Sequence, residues 1–493
     1  MNAIEANPIA SPQGLMQNKY QLVGERTFNH EDQLSFAELS GDYNFIHVDP
    51  LYSRRSLFGS VVVHGIHSVL CGLEYWLASY ANEVTIRSLK AEFNSPLRVD
   101  EATIFTLRRI NQNQLVIEIR SKRSVGTRLK IVWRSGKEVM PQSFVDDCPV
   151  KQNPKLLSKT EICKSFGRLD LYLKHDIVKS EFPNLHTYLS PNLIATLLAT
   201  TRLVGMHCPG VNSLFSEVNL HSDKNQLGTG LTYDAKDVDD RFGLLTMNIQ
   251  APGLCGSIKA FERPSPQIQR SFKEMKASVN NSEFSNQRAL IIGGTRGLGE
   301  VTAKLLAAGG ADVKITYFQG KNEAREIVTE INQGGGTADC FSLNVIDDNL
   351  KLADRFNDDW LPTHLYYFAT PFISQGDKGF FSKSTFMEFC QYYIFGFQNI
   401  VQQLSELDLR AALYPSTIFI DKPPVNMGEY TASKAAGEIL CNILESTKPT
   451  IKFSFPRLPK LATDQTANTR QIKEPSPELI LLQYIRELQG TSG

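Results

Sequence analysis

Two side chains in the first tenth of the chain could share work on protons. Asp42 and His47 are five positions apart, in the segment from Ser40 to Gly65 that also carries a glycine-bounded apolar turn. Adding water across a double bond next to a thioester, or removing it, needs an acid and a base at one water molecule. The thioester oxygen gains charge as the α-proton leaves, and N–H groups at a helix N-terminus near Gly65 would stabilise that charge. The segment is therefore a candidate acid–base site.

The whole segment, SGDYNFIHVDPLYSRRSLFGSVVVHG, resembles the motif of the MaoC-like, or hydratase 2, family of hot-dog folds. The positions that match the family pattern are Ser40, Gly41, Asp42, Asn44, His47, Asp49, Phe58, Gly59, His64 and Gly65. Phe45 stands where the family usually has Pro, which leaves both proton-handling groups in place. The resemblance implies (R)-specific hydration of enoyl thioesters, or dehydration of 3-hydroxyacyl thioesters, with Asp42 and His47 as the acid–base pair.

A purely structural interpretation of the same residues is that Asp42 caps a helix and His47 is a surface histidine. That interpretation suits an isolated Asp–His pair better than a match over the whole motif. His64 and His67 lie three positions apart at the start of a helix, and we assign both to packing rather than to zinc. We therefore predict no metal site.

A second group of residues, near the middle of the chain, is typical of dinucleotide binding. ALIIGGTRGLG is an apolar strand that runs into a glycine turn and then a helix, so the turn could cradle a pyrophosphate at the helix N-terminus. The candidate contacts are Gly293, Thr295, Arg296, Gly297, Leu298 and Gly299. The G-x3-G-x-G spacing resembles that of short-chain dehydrogenases/reductases, and in that family Asn344-Val345 would contact adenine.

The second strand of this region ends without an acidic residue before Lys321, and Arg296 lies inside the glycine turn. An acid there would repel a 2′-phosphate, so its absence and the two cations favour NADP(H) over NAD(H). A preference for NADP(H) suits synthesis of an acyl chain.

Tyr430 and Lys434 match the YxxxK motif of the same family. Positions i and i+4 share a helix face, so Lys434 could lower the pKa of the phenol and hold the nicotinamide ribose while Tyr430 exchanges a proton with a carbonyl. Three departures from the family stand beside this match. The catalytic Ser that the family has just past the preceding strand is missing. Ser416 and Thr417 lie at the start of the predicted strand STIFI, where we expect their hydroxyls to point away from the site. The helix-borne Asn of the family is replaced by Tyr393, and its NAG stretch by Phe368-Ala369-Thr370, with Thr370 a candidate substitute.

Three segments differ in the patterns that must position these residues. Residues 18–136 contain a helix predicted over Gly65–Ala81 and then alternating strands, which predicts a sheet wrapped around a helix. Residues 155–264 repeat this order, with a helix predicted over Pro191–Gly205, and we interpret them as a diverged internal repeat. Residues 287–493 alternate strands with helices, which is typical of a parallel sheet. The polar residues 263–286 are the candidate linker.

The predicted fold class is therefore multi-domain. The resemblances imply an α+β double hot dog, followed by an α/β Rossmann-like, doubly wound parallel sheet. The second repeat has no Asp–His pair at matching spacing, so the resemblance implies a silent half. In such proteins the silent half widens to hold a long acyl chain, and LIATLLATTRLVG would line it.

Composition excludes several classes of protein. The chain has 493 residues, with 52 Lys plus Arg against 52 Asp plus Glu, so it lacks the basic footprint of a nucleic-acid-binding protein. No apolar run is long enough to span a membrane, and the first twenty residues show no secretory signal. The eight Cys are scattered without a CxxC pair, so we expect neither zinc nor a disulfide framework. We expect a cytoplasmic enzyme.

The leading hypothesis is a bifunctional enzyme of acyl-thioester metabolism, in which an (R)-specific hydratase/dehydratase is fused to an NADPH-dependent 3-ketoacyl-thioester reductase. A second hypothesis keeps the hydratase and makes the C-terminal part a nucleotide-binding scaffold, because the family's Ser and Asn are missing. In a third hypothesis the chain is not an enzyme but a binding partner of acyl carrier protein. The Asp42–His47 pair argues against this hypothesis. The expected partner is a thioester of coenzyme A or acyl carrier protein, and a homodimer is plausible.

Overall fold

The computed structural model divides the chain into two compact units. The first unit ends at Ser265 and the second begins at Pro266. The described residues are 19–121, 124–136, 144–145, 150–226, 228–239, 241–357, 359–374, 381–466 and 475–489.

The first unit contains an antiparallel sheet with ten strands in the described part of the chain. In chain order the strands are β1 (Gln21–Thr27), β2 (Val84–Phe93), β3 (Ala102–Asn111), β4 (Gln114–Arg120), β5 (Val125–Ser135), β6 (Phe166–Leu169), β7 (Ser213–Ser222), β8 (Leu231–Asp239), β9 (Leu244–Ala251) and β10 (Leu254–Glu262). Across the sheet their order is β1-β3-β4-β5-β2-β7-β10-β9-β8-β6. Strands β6 to β10 thus repeat the arrangement of β1 to β5 in reverse across the sheet, the order expected of an internal repeat.

The two halves of this sheet join where β2 pairs with β7. Ala91 lies opposite Val218 and Leu89 opposite Leu220, and all four side chains are buried. The apolar pairs at this junction belong to one continuous core that includes both halves. Burying a Leu or Val side chain there contributes about 1.5–3 kcal/mol. The α+β double hot dog is confirmed.

Helices cover one face of this sheet. The helices of the first unit are α1 (His30–Ser40), α2 (Phe45–Val48), α3 (Pro50–Arg55), α4 (Gly65–Tyr80), α5 (Lys159–Cys163), α6 (His175–Glu181), α7 (Pro183–Tyr188) and α8 (Pro191–Arg202), and a π-helical turn (Leu203–His207) continues α8. Helix α4 is apolar on most sides, and its Trp76 packs edge-on against Trp133 of β5 with ring centroids 4.9 Å apart. Both predicted long helices are confirmed, except that the second one changes to π geometry after Arg202.

Strands β1 and β6 were missing from the sequence prediction. Both lie at the edges of the sheet, and most of their residues are exposed or partly exposed. An edge strand buries little on either face, so it lacks the alternation of apolar and polar residues that marks the inner strands.

In the described residues, the second unit is built on a parallel sheet of six strands. The strands of this unit are β11 (Arg288–Ile292), β12 (Asp312–Tyr317), β13 (Thr337–Ser342), β14 (His364–Tyr367), β15 (Ala411–Leu413), β16 (Ser416–Thr417), β17 (Lys452–Ser454) and β18 (Arg457–Leu458), of which β16 and β18 form a separate short pair. Across the six-stranded sheet the order is β13-β12-β11-β14-β15-β17. When only the six strands of this sheet are numbered, the order is 3-2-1-4-5-6, that of a doubly wound dinucleotide fold. The predicted α/β Rossmann-like sheet is confirmed.

The helices of this unit connect the parallel strands. They are α9 (Phe272–Met275), α10 (Gly297–Ala308), α11 (Lys321–Gln333), α12 (Lys383–Cys390), α13 (Phe397–Leu404), α14 (Gly428–Thr447) and α15 (Pro477–Gln489), with a π-helical turn (Gln391–Gly396) between α12 and α13 and 3-10 turns at Lys276–Ser278, Ala353–Arg355, Ile418–Ile420 and Asp464–Thr466. No helix in the described ranges is long and apolar enough to cross a bilayer.

Two local predictions were wrong in part. The candidate linker 263–286 contains the boundary between the units, but from Pro266 onward it belongs to the second unit, where Phe272, Met275 and Phe284 are buried in the core. The segment STIFI is not one strand. Its strand ends at Thr417, and the next three residues form a 3-10 turn.

Candidate active sites

The loop between α1 and α2 carries Asp42 into the interior of the first unit. Helix α1 ends at Ser40, and Gly41 follows in the left-handed conformation with φ 75°, which turns the chain inward. Asn44 then caps α2 through its side chain. The glycine and the cap of the motif therefore place Asp42 between the two helices.

Asp42 is almost completely buried, with 1% of its surface exposed. The Thr201 hydroxyl donates to Oδ2 at 2.7 Å, and the Asn44 backbone N–H donates to Oδ1 at 3.1 Å. Burial raises the pKa of Asp42 to about 6, although both hydrogen bonds and the positive charge of Arg202 oppose this rise. The carboxyl group is thus ionised near neutral pH but can accept a proton at low cost.

His47 presents a free lone pair to the same space. Its Nδ1 lies 2.8 Å from the Val62 carbonyl oxygen, which can only accept a hydrogen bond, so Nδ1 carries the proton and Nε2 carries the lone pair. Desolvation lowers the pKa of His47 to about 4, and the positive charge of Arg263 acts in the same direction. The ring is therefore neutral near pH 7 and can act as a base.

His64 is part of this site, which corrects its assignment to packing. Its ring stacks on that of His47 with centroids 3.8 Å apart, and its Nε2 donates to the Asp42 carbonyl oxygen at 3.0 Å. His67 does pack, stacked on the Phe36 ring at 4.5 Å.

One potential ligand atom from each of Asp42, His47 and His64 lies within 4.8 Å of the other two, a spacing that a metal ion could bridge. The protonated Nε2 of His64 cannot bind a metal, however, and its Nδ1 faces Gln33. His47 uses Nδ1 for the Val62 carbonyl. Two groups, the His47 Nε2 lone pair and the Asp42 carboxylate, then stay available, which suits an acid–base pair better than a tetrahedral zinc site.

The second half of the double hot dog encloses the Asp42 loop. Asn44 Nδ2 donates to the Gly205 carbonyl at 2.8 Å and to the Gly210 carbonyl at 3.1 Å. A Cβ atom on Gly205 would lie 2.1 Å from Asp42 Oδ1. Gly205 lies in the π-helical turn, a local geometry that is frequent at functional sites.

A cavity of about 120 Å³ opens in front of the acid–base pair. Its walls come from both halves and include Asp42, His47, Gly65, Phe93, Thr201, Val204, Gly205 and Phe215. Gly65 is the first residue of α4, so its N–H has no acceptor within the helix and can bind an oxyanion. Of the apolar helix of the second half that was predicted to line the substrate space, Thr201, Val204 and Gly205 line this cavity.

In the second unit, the predicted glycine turn joins β11 to α10. A Cβ atom on Gly299 would lie 2.2 Å from the Gly293 carbonyl oxygen, so only glycine permits this tight turn. Thr295 is buried and Leu298 packs on the core. The turn exposes the first N–H groups of α10, which lack acceptors within the helix, and it therefore fits a pyrophosphate.

The charges near this turn are more balanced than the sequence suggested. The Arg296 guanidinium lies 3.8 Å from the carboxylate of Asp464, which is 3% exposed. Lys321 is exposed at the start of α11. Asn344 is partly exposed after β13, and Val345 is buried in the core. Of the two predicted cations, Arg296 therefore already faces a carboxylate.

Thr417 stands thirteen positions before Tyr430, and its hydroxyl lies near enough to the Tyr430 phenol to oppose the rise of that group's pKa. This corrects the prediction that its hydroxyl points away. Because the strand ends at Thr417 and the chain turns, its side chain reaches the site. Ser416 does point away, toward Glu438.

Lys434 lies on α14, one turn after Tyr430. Its Nζ donates to the Pro415 carbonyl at 2.7 Å and lies 3.9 Å from the centroid of the Tyr393 ring. Burial lowers the pKa of Lys434 to about 7 and raises the pKa of Tyr430 to about 12. The expected lowering of the phenol pKa by Lys434 is therefore absent here, because burial dominates both groups.

Tyr393 is the residue that the sequence analysis matched to the helix-borne Asn of the short-chain dehydrogenases/reductases. It is buried in the π-helical turn, and its hydroxyl is hydrogen-bonded to that of Thr370. Its ring centroid lies 5.8 Å from that of Tyr430. The structure thus brings Thr370, Tyr393, Thr417, Tyr430 and Lys434 together.

Comparison with known proteins supports two different domains. Residues 12–128 match the family model described as "MaoC like domain". The chain is 40% identical over 65 residues to the uncharacterized oxidoreductase YgfF of Escherichia coli strain K12, a match that covers 13% of this chain and 26% of that protein. It is 26% identical over 211 residues to the uncharacterized oxidoreductase YxbG of Bacillus subtilis strain 168, which covers 42% of this chain and 72% of that protein.

Solved structures resemble part of the chain. One is a short chain dehydrogenase from Burkholderia cenocepacia J2315 in complex with NADP, at 21% identity and a TM-score of 0.38, covering 43% of this chain and 94% of that one. Another is a 3-oxoacyl (acyl-carrier-protein) reductase from Agrobacterium tumefaciens C58 with NADP bound, at 16% identity and a TM-score of 0.38, covering 42% of this chain and 88% of that one.

Proposed function

The chain carries a MaoC-like dehydratase domain at its N-terminal side together with an oxidoreductase-like domain, and we propose that the first unit adds water to trans-2-enoyl thioesters, or removes it from (3R)-3-hydroxyacyl thioesters. The observation that carries the proposal is the pair of acceptors at the cavity. An oxygen of the Asp42 carboxylate, which is ionised near neutral pH, and a ring nitrogen of the neutral His47 lie within 4.8 Å of each other, and Nε2 is the nitrogen that the Val62 carbonyl leaves free.

This arrangement suits one bound water molecule. The water donates one hydrogen to Asp42 and the other to His47, which turns its oxygen toward C3 of the enoyl group. As the oxygen bonds to C3, one proton passes to the pair, and the electron pair of the double bond moves toward the thioester carbonyl. The Gly65 N–H stabilises the resulting enolate oxygen. The pair then returns the proton to C2, so the product has gained one water and the enzyme is unchanged.

The proposal is tested with crotonyl thioesters and the variants Asp42→Asn and His47→Ala. Each variant removes half of the pair, so hydration should fall at least ~100-fold while the fold is kept. His67→Ala is the control, because His67 packs on Phe36 outside the cavity. Turnover near that of the wild type in either dyad variant would refute the assignment.

For the second unit we propose reduction of a 3-ketoacyl thioester with NADPH. Bound at the glycine turn, NADPH would supply the hydride. The residues of the chain do the remaining work, in which the Tyr430 phenol donates the proton to the carbonyl oxygen and the Thr417 hydroxyl orients that oxygen. The position of the Thr417 hydroxyl, near enough to Tyr430 to affect the pKa of its phenol, favours an active site over a scaffold.

The two activities would share the (3R)-3-hydroxyacyl thioester, as product of one and substrate of the other. Comparing kcat/KM for the coenzyme A thioester and the acyl-carrier-protein thioester of one acyl group identifies the carrier. A scaffold would bind NADPH and leave 3-ketoacyl thioesters unreduced. A carrier-binding protein would bind acyl carrier protein and leave the enoyl group unhydrated. A homodimer in the cytoplasm remains part of the proposal, and sedimentation of the purified chain tests the dimer.

A further inference from the structure

The second half of the double hot dog lacks the Asp–His motif, yet one of its side chains touches the reacting carboxylate. Thr201, in the last turn of α8, is 3% exposed and donates its hydroxyl to Asp42 Oδ2 at 2.7 Å. It also lines the cavity. The contact joins residues that are 159 positions apart in sequence.

Neighbouring threonines of α8 use their hydroxyls differently. Thr200 donates to the Leu197 carbonyl at 2.7 Å, and Thr196 donates to the Asn192 carbonyl at 2.7 Å, so both bond within their own helix. Both are fully buried. Such bonds to the preceding turn are the usual choice of a buried threonine in a helix. Thr201 departs from this pattern and directs its hydroxyl out of the helix.

We propose that Thr201 is a positioning residue for hydration, which orients Asp42 and favours its ionised form, so that the second half completes the active site instead of only enlarging the substrate space. This inference rests on the proposed hydratase function. The hydrogen bond occupies one lone pair of Oδ2, and the Asn44 N–H occupies one of Oδ1. The carboxylate plane is then fixed from two sides, and the remaining lone pairs serve the water molecule.

The electrostatic effect follows from burial. A carboxylate without water around it is strongly disfavoured, and a hydroxyl that donates to its charged form restores part of the lost solvation. The Thr201 hydrogen bond accordingly lowers the pKa of Asp42, against the dominant effect of burial. Without it, the carboxyl group would be protonated at higher pH and would turn more freely.

The experiment compares three variants of the full chain in hydration of crotonyl thioester as a function of pH. Thr201→Val keeps the shape and removes the hydroxyl, and we expect kcat at neutral pH to fall roughly 10- to 100-fold. The acid limb of the rate profile, which we expect at about pH 6 in the wild type, should move to higher pH. Thr201→Ser should restore both properties. Thr200→Val is the matched control and should resemble the wild type.

Equal acid limbs for Thr201→Val and Thr200→Val, or a Thr201→Ser variant as slow as Thr201→Val, would overturn the inference. The proposed function fails separately, if Asp42→Asn hydrates as fast as the wild type or if the wild type does not hydrate. An infrared titration of the Asp42 carboxyl, taken as the difference from Asp42→Asn, tests Thr201 without any turnover. There we expect Thr201→Val to raise the pKa of Asp42, and an unchanged pKa would contradict the inference.

Discussion

Gly205 lies so close to Asp42 that a Cβ atom on it would be 2.1 Å from the carboxylate oxygen Oδ1. These two residues come from different halves of the double hot dog, and the missing side chain of one makes room for the charged group of the other. Two packed halves of one domain therefore form a single site.

Gly205→Ala is expected to displace Asp42 and lower hydration at least ~100-fold, because a shift of about 1 Å at a reacting group costs that much. Gly72→Ala provides the comparison, since a Cβ atom there would meet only side-chain atoms, of Ile119 at 3.3 Å and of Ile117 at 3.5 Å. Hydration rates are measured together with thermal unfolding. Wild-type activity in Gly205→Ala would show that the carboxylate does not need its present position.

The Asp42 carboxyl group should also lower the free energy of unfolding at neutral pH. Its pKa is about 6 in the folded chain against 3.8 for the unperturbed group, so the unfolded state loses its proton first. A pKa that is raised in the folded chain stabilises the folded state at low pH, and this stabilisation is lost as the pH rises through the pKa of the folded chain. A pKa difference of about two units corresponds to about 3 kcal/mol. Asp42→Asn removes this loss.

We therefore expect Asp42→Asn to be more stable than the wild type by up to about 3 kcal/mol at about pH 8, and by about half of that at about pH 5. Denaturant unfolding at both values measures the difference. A difference that does not change with pH would show that the carboxyl group titrates normally.

Much of this organisation follows from the sequence. The apolar spacing of α4 and the strand–glycine turn–helix pattern at Gly293 are local signals, and both gave the correct element. Asp42 and His47 could be predicted as a pair because both lie within one motif. Local patterns of this kind survive in a single sequence because each residue constrains its near neighbours.

Contacts between distant segments left no such signal. Thr201 and Gly205 look like ordinary residues of an apolar helix until the fold brings them to Asp42. Asp464 is far from Arg296 in sequence, and its opposing charge could not be foreseen. Thr417 could have been identified from its thirteen-residue distance to Tyr430, but its strand was expected to be longer than it is.

Thr417→Ala is expected to slow NADPH-dependent reduction of a 3-ketoacyl thioester by ~10²–10³, the usual cost of losing a donor to the substrate oxygen. Ser416→Ala is the control, because that hydroxyl bonds to Glu438 instead. Tyr430→Phe should abolish the reaction. Equal rates for Thr417→Ala and Ser416→Ala would assign Thr417 a structural role only.

The second unit is expected to bind NADPH roughly 10- to 100-fold more tightly than NADH, because one charge-assisted contact to the 2′-phosphate corresponds to an affinity difference of this size. Arg296→Ala should remove most of this preference. Asp464→Asn should increase it, since it frees the guanidinium from an opposing charge yet keeps an acceptor for the Gln267 N–H. Titration calorimetry measures the affinities, and equal binding of both cofactors by the wild type would contradict the assignment.

The most direct test of the central claim follows the product of one reaction. Crotonyl thioester is incubated with the wild type and with Asp42→Asn, the loss of the enoyl absorbance is recorded, and the configuration of the 3-hydroxybutyryl product is determined. We expect the wild type to form the (3R) product at least ~100-fold faster than the variant. A (3S) or racemic product, no conversion by the wild type, or equal rates for both proteins would contradict the account.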